Sequence, residues 1–103
     1  MAGKDRKSYF FLKMQTISIT VSGRVQGVFY RQSTREKARE LGISGNVKNL
    51  ADGTVYIIAT GTRDQLDQLI EWCKKGPPKA VVSAVETKDL PFHEFSGFHI
   101  DRD

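Results

Sequence analysis

The feature that most constrains the fold of this chain is a change of hydrophobic period around a glycine-rich turn. Residues 15–22 alternate between aliphatic and polar side chains, which is the period of a strand with one buried face. Residues 30–41 carry small and apolar side chains at helical spacing, and Gly42 follows as a C-terminal stop. The turn between them contains Gly23 and Gly27. The sequence therefore predicts a strand, a tight turn and an amphipathic helix in that order.

A hairpin and a second helix are predicted next. Asp52 and Gly53 stand between two candidate strands, residues 43–49 and 54–61, and this dipeptide favours a tight hairpin turn. Thr62 then begins a helix, because a glutamine three residues later completes a capping-box signal. The apolar stripe of this helix is formed by Leu66, Leu69, Ile70 and Cys73.

Two further candidate strands, residues 80–87 and a short segment at about 98–102, complete the chain. The order is β-α-β-β-α-β with a short fifth strand, which is typical of a ferredoxin-like α/β sandwich. In that topology an antiparallel sheet carries both helices on one face. The first two strands run in the same direction and end about 10 Å apart, two strand spacings across the sheet. We therefore expect Gly23 and Asn49, at those two ends, to lie near one another.

Length and charge limit the class of protein. With 103 residues the chain has room for one domain, and its apolar runs fall short of the about 20 residues that cross a bilayer. We set residues 1–13 apart as a flexible N-terminal extension and assign residues 14–103 to the domain. The extension holds four of the 16 basic and one of the 12 acidic side chains, so the domain has a net charge of only +1. This argues against nucleic acid as a partner.

Cysteine and histidine content bears on cofactors and location. Cys73 is the only cysteine in the sequence, so the chain cannot form an internal disulfide, and we expect a buried structural thiol. The two histidines, His93 and His99, have no spacing typical of metal ligands. No secretory pattern opens the sequence. We expect a cytoplasmic monomer with no metal, no cofactor and no membrane partner.

The stretch SGRVQGVFYR contains no histidine, cysteine or carboxylate, but it ends on Arg31. Backbone N–H groups in such a turn have no strand or helix partner, and glycines let them curl into a concave anion-binding nest. Arg31 opposes the helix dipole in the first turn, and a bound phosphate would offset that cost. The residues alone leave two interpretations open, an anion site and a tight turn with a solvated arginine.

The string GRVQGVFYR followed by ELGISGNVKNLADGTV closely resembles the signature of the acylphosphatases. The resemblance is strong over about residues 18–61 and continues weakly to the end, covering essentially everything from Met14. It implies the same ferredoxin-like fold and hydrolysis of acyl phosphates, the mixed anhydrides of carboxylic and phosphoric acid. Phe29, Tyr30 and Asn46 depart from the common family pattern, which bears on substrate preference.

The resemblance also implies roles for individual residues. Arg31 corresponds to the phosphate-binding arginine, and Asn49 corresponds to the residue that orients the attacking water. The partners implied are a small-molecule acyl phosphate and inorganic phosphate or similar anions. The residues implied to form the phosphate-binding cradle, together with Arg31, are Gly23, Arg24, Val25, Gln26, Gly27, Val28, Phe29 and Tyr30.

This chemistry demands few side chains. The leaving carboxylate has a conjugate acid with a pKa of roughly 4 to 5, so no general acid is needed. What remains is to hold a dianion, stabilise its developing charge and place a water molecule in line. One guanidinium, a ring of N–H groups and one carboxamide can do this without a metal.

Two alternatives stay open on the sequence, a ferredoxin-like binding module and a catalytically silent acylphosphatase-like domain. RNA binding through such a sheet uses aromatic side chains on its open face. Serine and threonine occupy that face of the first strand, and Tyr56 is the one aromatic residue expected there on the third. The presence of both Arg31 and Asn49 argues against a silent domain.

Overall fold

The elements follow one another in the predicted order in a computed structural model, which describes residues 13–102. The predicted flexible extension lies outside the described residues, apart from Lys13. The bounds of the strands and helices are β1 (Met14–Arg24), α1 (Tyr30–Leu41), β2 (Ser44–Asn49), β3 (Val55–Thr62), α2 (Arg63–Cys73), β4 (Val81–Leu90) and β5 (Phe98–Ile100).

The five strands form one sheet in the order β4-β1-β3-β2-β5. Strand β3 pairs antiparallel with both β1 and β2, and β4 pairs antiparallel with β1. This confirms the ferredoxin-like arrangement. The fifth strand lies parallel to β2, so the complete sheet is mixed rather than purely antiparallel. Because β1, β2 and β5 run in the same direction, all three end at the same rim of the sheet.

Both helices pack on one face of the sheet and enclose the core. The aliphatic residues of the alternating segment, Ile17, Ile19 and Val21, are at most 2% exposed. Helix α1 has the predicted bounds, and its C-cap is Gly42 at φ 79°. Helix α2 begins with the predicted capping box. The helical residues buried against the sheet are Tyr30, Thr34, Ala38, Leu66, Leu69 and Cys73.

The other face of the sheet differs from the prediction. We expected the hydroxyl residues of β1 to face solvent, but Thr16 and Ser18 are only 2% and 4% exposed. Over Thr16 the reason is the connection between β4 and β5, which must cross the sheet because these strands lie at opposite edges. The N–H of His93 donates to the Thr16 hydroxyl at 2.9 Å. The Thr60 hydroxyl donates to the carbonyl of His93 at 2.7 Å and lies 2.6 Å from the Thr16 hydroxyl.

Replacing Thr60 by valine should lower the free energy of unfolding by about 1–2 kcal/mol, because it removes the short hydrogen bond to the crossing segment. The matched control is Thr20→Val on β1, whose hydroxyl makes no hydrogen bond within residues 13–102. Urea unfolding of both variants measures the difference. Equal losses of stability would show that the crossing segment is not held by this hydroxyl pair.

Candidate active site

The turn between β1 and α1 depends on unusual backbone conformations. Gly23 and Gly27 have φ values of 121° and 76°. A Cβ atom at Gly23 would overlap the carbonyl oxygen of Val81, so the close approach of β4 also requires glycine there. Phe29 has φ 66° and is the one non-glycine residue with positive φ in the described part of the chain. A bulky side chain rarely adopts this conformation.

Helix α1 begins without a side-chain cap and without an acidic residue in its first turn. Within residues 13–102, the backbone N–H groups of Phe29 to Gln32 donate no hydrogen bond to the chain. Helix α2, by contrast, is capped by Thr62 and carries Asp64 in its first turn. The N-terminus of α1 therefore keeps its partial positive charge and its free donors.

A pocket of about 240 Å³ opens at this helix terminus. It brings together Arg31 and Asn49, the two residues for which the resemblance implies catalytic roles. The Arg31 side chain is half-buried and makes no ion pair or hydrogen bond with any part of the chain that the structure describes. The residues that line the pocket include no carboxylate: Val25, Gly27, Phe29, Tyr30, Arg31, Gln32, Asn49, Ile100 and Arg102.

Asn49 reaches the pocket because β2 ends at the same rim as β1. It is the last residue of β2 and pairs with Val55 of β3. Its Oδ1 is enclosed and has no hydrogen-bond partner among residues 13–102. A buried acceptor without a partner costs about 1–3 kcal/mol. Within this part of the chain, Oδ1 therefore contributes no hydrogen bond to the stability of the fold.

The predicted cradle residues divide into two groups. Five of them line the pocket, namely Val25, Gly27, Phe29, Tyr30 and Arg31. Gly23 and Arg24 instead belong to the end of β1 and pair with β4. Val28 packs against the core, and the side chain of Gln26 points to the turn after β2.

Tyr30 lines the pocket but is only 1% exposed. Its hydroxyl donates to the carbonyl of Cys73 at 2.7 Å in the core. Burial raises the pKa of the Tyr30 phenol, so the group stays protonated. Burial also raises the pKa of the Cys73 thiol to about 12, in keeping with the expected structural thiol. Neither group is placed to transfer a proton at the pocket.

Sequence reasoning missed Gln32, Ile100 and Arg102 as pocket residues. The last two arrive through the parallel pairing of β5 with β2, which the N–H of Asp101 extends by donating to the carbonyl of Val47 at 2.8 Å. No motif surrounds Arg102 in the sequence. Only the assembled sheet places Arg102 at the same pocket as Arg31.

Residues 13–102 contain no group of three or more histidine, cysteine, aspartate or glutamate side chains that could hold a metal ion. Neither helix in this part of the chain has the length and hydropathy that crossing a bilayer requires.

The sheet order and the two helices on one face define a small α/β protein with a ferredoxin-like sandwich fold, and its pocket lies at a helix N-terminus that has no side-chain cap. The family model described as Acylphosphatase matches residues 17–100. The chain is 54% identical to an acylphosphatase from Marinobacter nauticus over 81 residues, which cover 78% of this chain and 88% of that protein. With an acylphosphatase from Acaryochloris marina it shares 51% identity over 86 residues, covering 84% and 92% of the two chains.

The solved structure of an acylphosphatase from Coxiella burnetii is similar, with a TM-score of 0.85 and 44% identity. The match covers 87% of this chain and 95% of that one. The chain belongs to the acylphosphatase family. This confirms the resemblance seen in the sequence, the ferredoxin-like fold and the expected function, hydrolysis of acyl phosphates.

Proposed function

We propose that this acylphosphatase binds the phosphate of its substrate with the backbone N–H groups before and within the first turn of α1 and with the Arg31 guanidinium. Asn49 holds the attacking water. The observation that supports this assignment is the pocket itself, where the Arg31 guanidinium and the N-terminus of α1 lie beside Asn49, whose buried Oδ1 has no hydrogen-bond partner among residues 13–102. These groups are costly to a fold unless an anion and a water molecule complete them.

Binding is electrostatic. A guanidinium can bridge two oxygens of a phosphate dianion while N–H groups contact the others, and hydrogen bonds to charged groups contribute about 1.5–3 kcal/mol each. The positive end of α1 adds to this field, with no acidic residue in its first turn to reduce it. The same donors stabilise the charge that develops on the equatorial oxygens during the reaction.

In the chemical step the water oxygen forms a bond to phosphorus, and the bond between phosphorus and the acyl oxygen breaks. The electron pair leaves on the carboxylate, and a phosphate oxygen accepts a proton from the water. An acyl phosphate dianion and water thus give a carboxylate and dihydrogen phosphate, with charge conserved. The carboxylate leaves without protonation, which fits a pocket whose lining includes no histidine or carboxylate.

The Asn49 carboxamide is suited to hold the water because it carries a donor and an acceptor on one planar group. Since Oδ1 has no partner among residues 13–102, no hydrogen bond to this oxygen opposes rotation of the amide toward the water. A water held there has one lone pair free for phosphorus. Its proton can pass to the bound phosphate.

We expect purified protein to hydrolyse benzoyl phosphate in the presence of a chelator, because the scheme uses no metal. Release of benzoate and phosphate measures turnover, and added magnesium serves as the control. Loss of activity in chelator with recovery in magnesium would contradict the mechanism. A folded but inactive wild-type protein would favour the silent domain instead.

Replacing Arg31 by glutamine should lower kcat/KM by about 100- to 1000-fold and weaken inhibition by inorganic phosphate, since the guanidinium contacts the anion in both cases. The matched control is Arg35→Gln, one turn further along α1, which does not line the pocket. Steady-state kinetics and phosphate titration measure both effects. Unaltered phosphate binding in the Arg31 variant would refute the assignment.

Replacing Asn49 by alanine should lower kcat by about 100-fold while the inhibition constant of phosphate changes less than about threefold. The Asn49 carboxamide no longer holds the attacking water, but the cradle and Arg31 still bind the phosphate. The free energy of unfolding should fall little, because Oδ1 has no partner to lose among residues 13–102. Loss of phosphate inhibition together with turnover would show that Asn49 binds the phosphate itself.

The proposal also includes the expected cytoplasmic monomer, with phosphate and similar anions as site ligands and no nucleic acid partner. Sedimentation velocity with and without phosphate measures the state of association.

A further inference from the structure

Gln26 lies in the middle of the cradle segment, yet its side chain turns away from the pocket. Its Nε2 donates to the carbonyl of Leu50 at 2.8 Å and to the carbonyl of Thr54 at 2.9 Å. Both bonds are partly buried. Leu50 directly follows Asn49, so this one side chain joins the cradle to the backbone next to the residue that holds the water.

The two carbonyls that Gln26 contacts also close the turn between β2 and β3. The N–H of Leu50 donates to the carbonyl of Thr54 at 2.9 Å, and the N–H of Gly53 donates to the carbonyl of Leu50 at 3.1 Å. On the solvent side, Oδ1 of Asp52 accepts from the N–H and the hydroxyl of Thr54 at 3.0 and 2.7 Å. Asp52 therefore stabilises the turn locally, whereas Gln26 connects it to the cradle.

We propose that Gln26 is a positioning residue of the reaction, because its carboxamide sets the distance between the bound phosphate and the Asn49 amide. This inference rests on the proposed function. The Asn49 Oδ1 makes no hydrogen bond within residues 13–102 that would hold the side chain in place. Its position therefore follows the backbone at the end of β2, and Gln26 ties that backbone to the cradle.

The contact demands a primary amide of this length. One nitrogen must direct its two N–H groups at two carbonyl oxygens, which glutamine can do. Glutamate at this position would place a carboxylate against two carbonyls, and leucine would fill a similar volume without a donor. Both variants remove the two hydrogen bonds from Gln26 to the turn between β2 and β3. Glutamate adds electrostatic repulsion, whereas leucine does not.

The test compares Gln26→Leu and Gln26→Glu with the control Asp52→Ala, which weakens the same turn from its solvent side. We expect both Gln26 variants to lower kcat by about 10- to 100-fold, as small displacements of reacting groups do. The inhibition constant of inorganic phosphate should change less than about threefold, because the N–H groups and Arg31 remain. Asp52→Ala should keep kcat within about twofold of wild type. Unchanged kcat in both Gln26 variants would overturn the proposal.

A double variant separates positioning from a general structural effect. If Gln26 acts through Asn49, adding Gln26→Leu to Asn49→Ala should lower kcat no further, because the group it positions is already gone. Full additivity of the two losses would overturn the proposal. A loss of phosphate inhibition like that of Arg31→Gln would also overturn it, since Gln26 would then shape the cradle.

The effect of the Gln26 hydrogen bonds on Asn49 can also be measured without turnover. In ¹H–¹⁵N spectra of the folded, phosphate-bound protein, Gln26→Leu should shift the side-chain amide resonances of Asn49, and Asp52→Ala should leave them near their wild-type positions. Unchanged Asn49 resonances in Gln26→Leu would overturn the proposal even in a protein that hydrolyses no acyl phosphate. Failure of the wild type to hydrolyse benzoyl phosphate would bear on the proposed function instead.

Discussion

The placement of β3 between β1 and β2 is the constraint on which the site depends. Because β3 pairs antiparallel with both neighbours, β1 and β2 run in the same direction and end at one rim. The turn after β1 and Asn49 at the end of β2 therefore meet in one pocket. Strand β5 lies parallel to β2 and brings Arg102 to the same rim. The pocket is thus built from the carboxyl ends of the three strands that share a direction.

The two helix N-termini differ in how their backbone donors and their dipoles are compensated. Helix α2 has a capping box and Asp64 in its first turn, so its donors and its dipole are satisfied within the fold. Helix α1 starts from Phe29 in a left-handed conformation, without a side-chain cap and with Arg31 in its first turn. These unfavourable features coincide with an Oδ1 of Asn49 that has no partner among residues 13–102, and in the proposed function a bound phosphate and its water would offset them together.

Much of the fold could be predicted because its signals are local. Period, capping and turn residues established the bounds of α1, the Thr62 capping box and the hairpin at Gly53, and all three agree with the structure. The burial of Thr16 could not be predicted in this way. The alternation of residues 15–22 marks the two faces of a strand, but the segment that covers the second face lies more than 70 residues away in the sequence.

The sequence by itself determined the element order and indicated the cradle segment and the candidates Arg31 and Asn49, because each depends on neighbouring residues or on a continuous motif. The tertiary structure decided which groups share the pocket. It placed Arg102 there through the pairing of β5 with β2, and it turned the Gln26 side chain away from the pocket toward the strand end that carries Asn49. The physical reason is that such contacts join segments far apart in the chain, and only the packed sheet sets their distances.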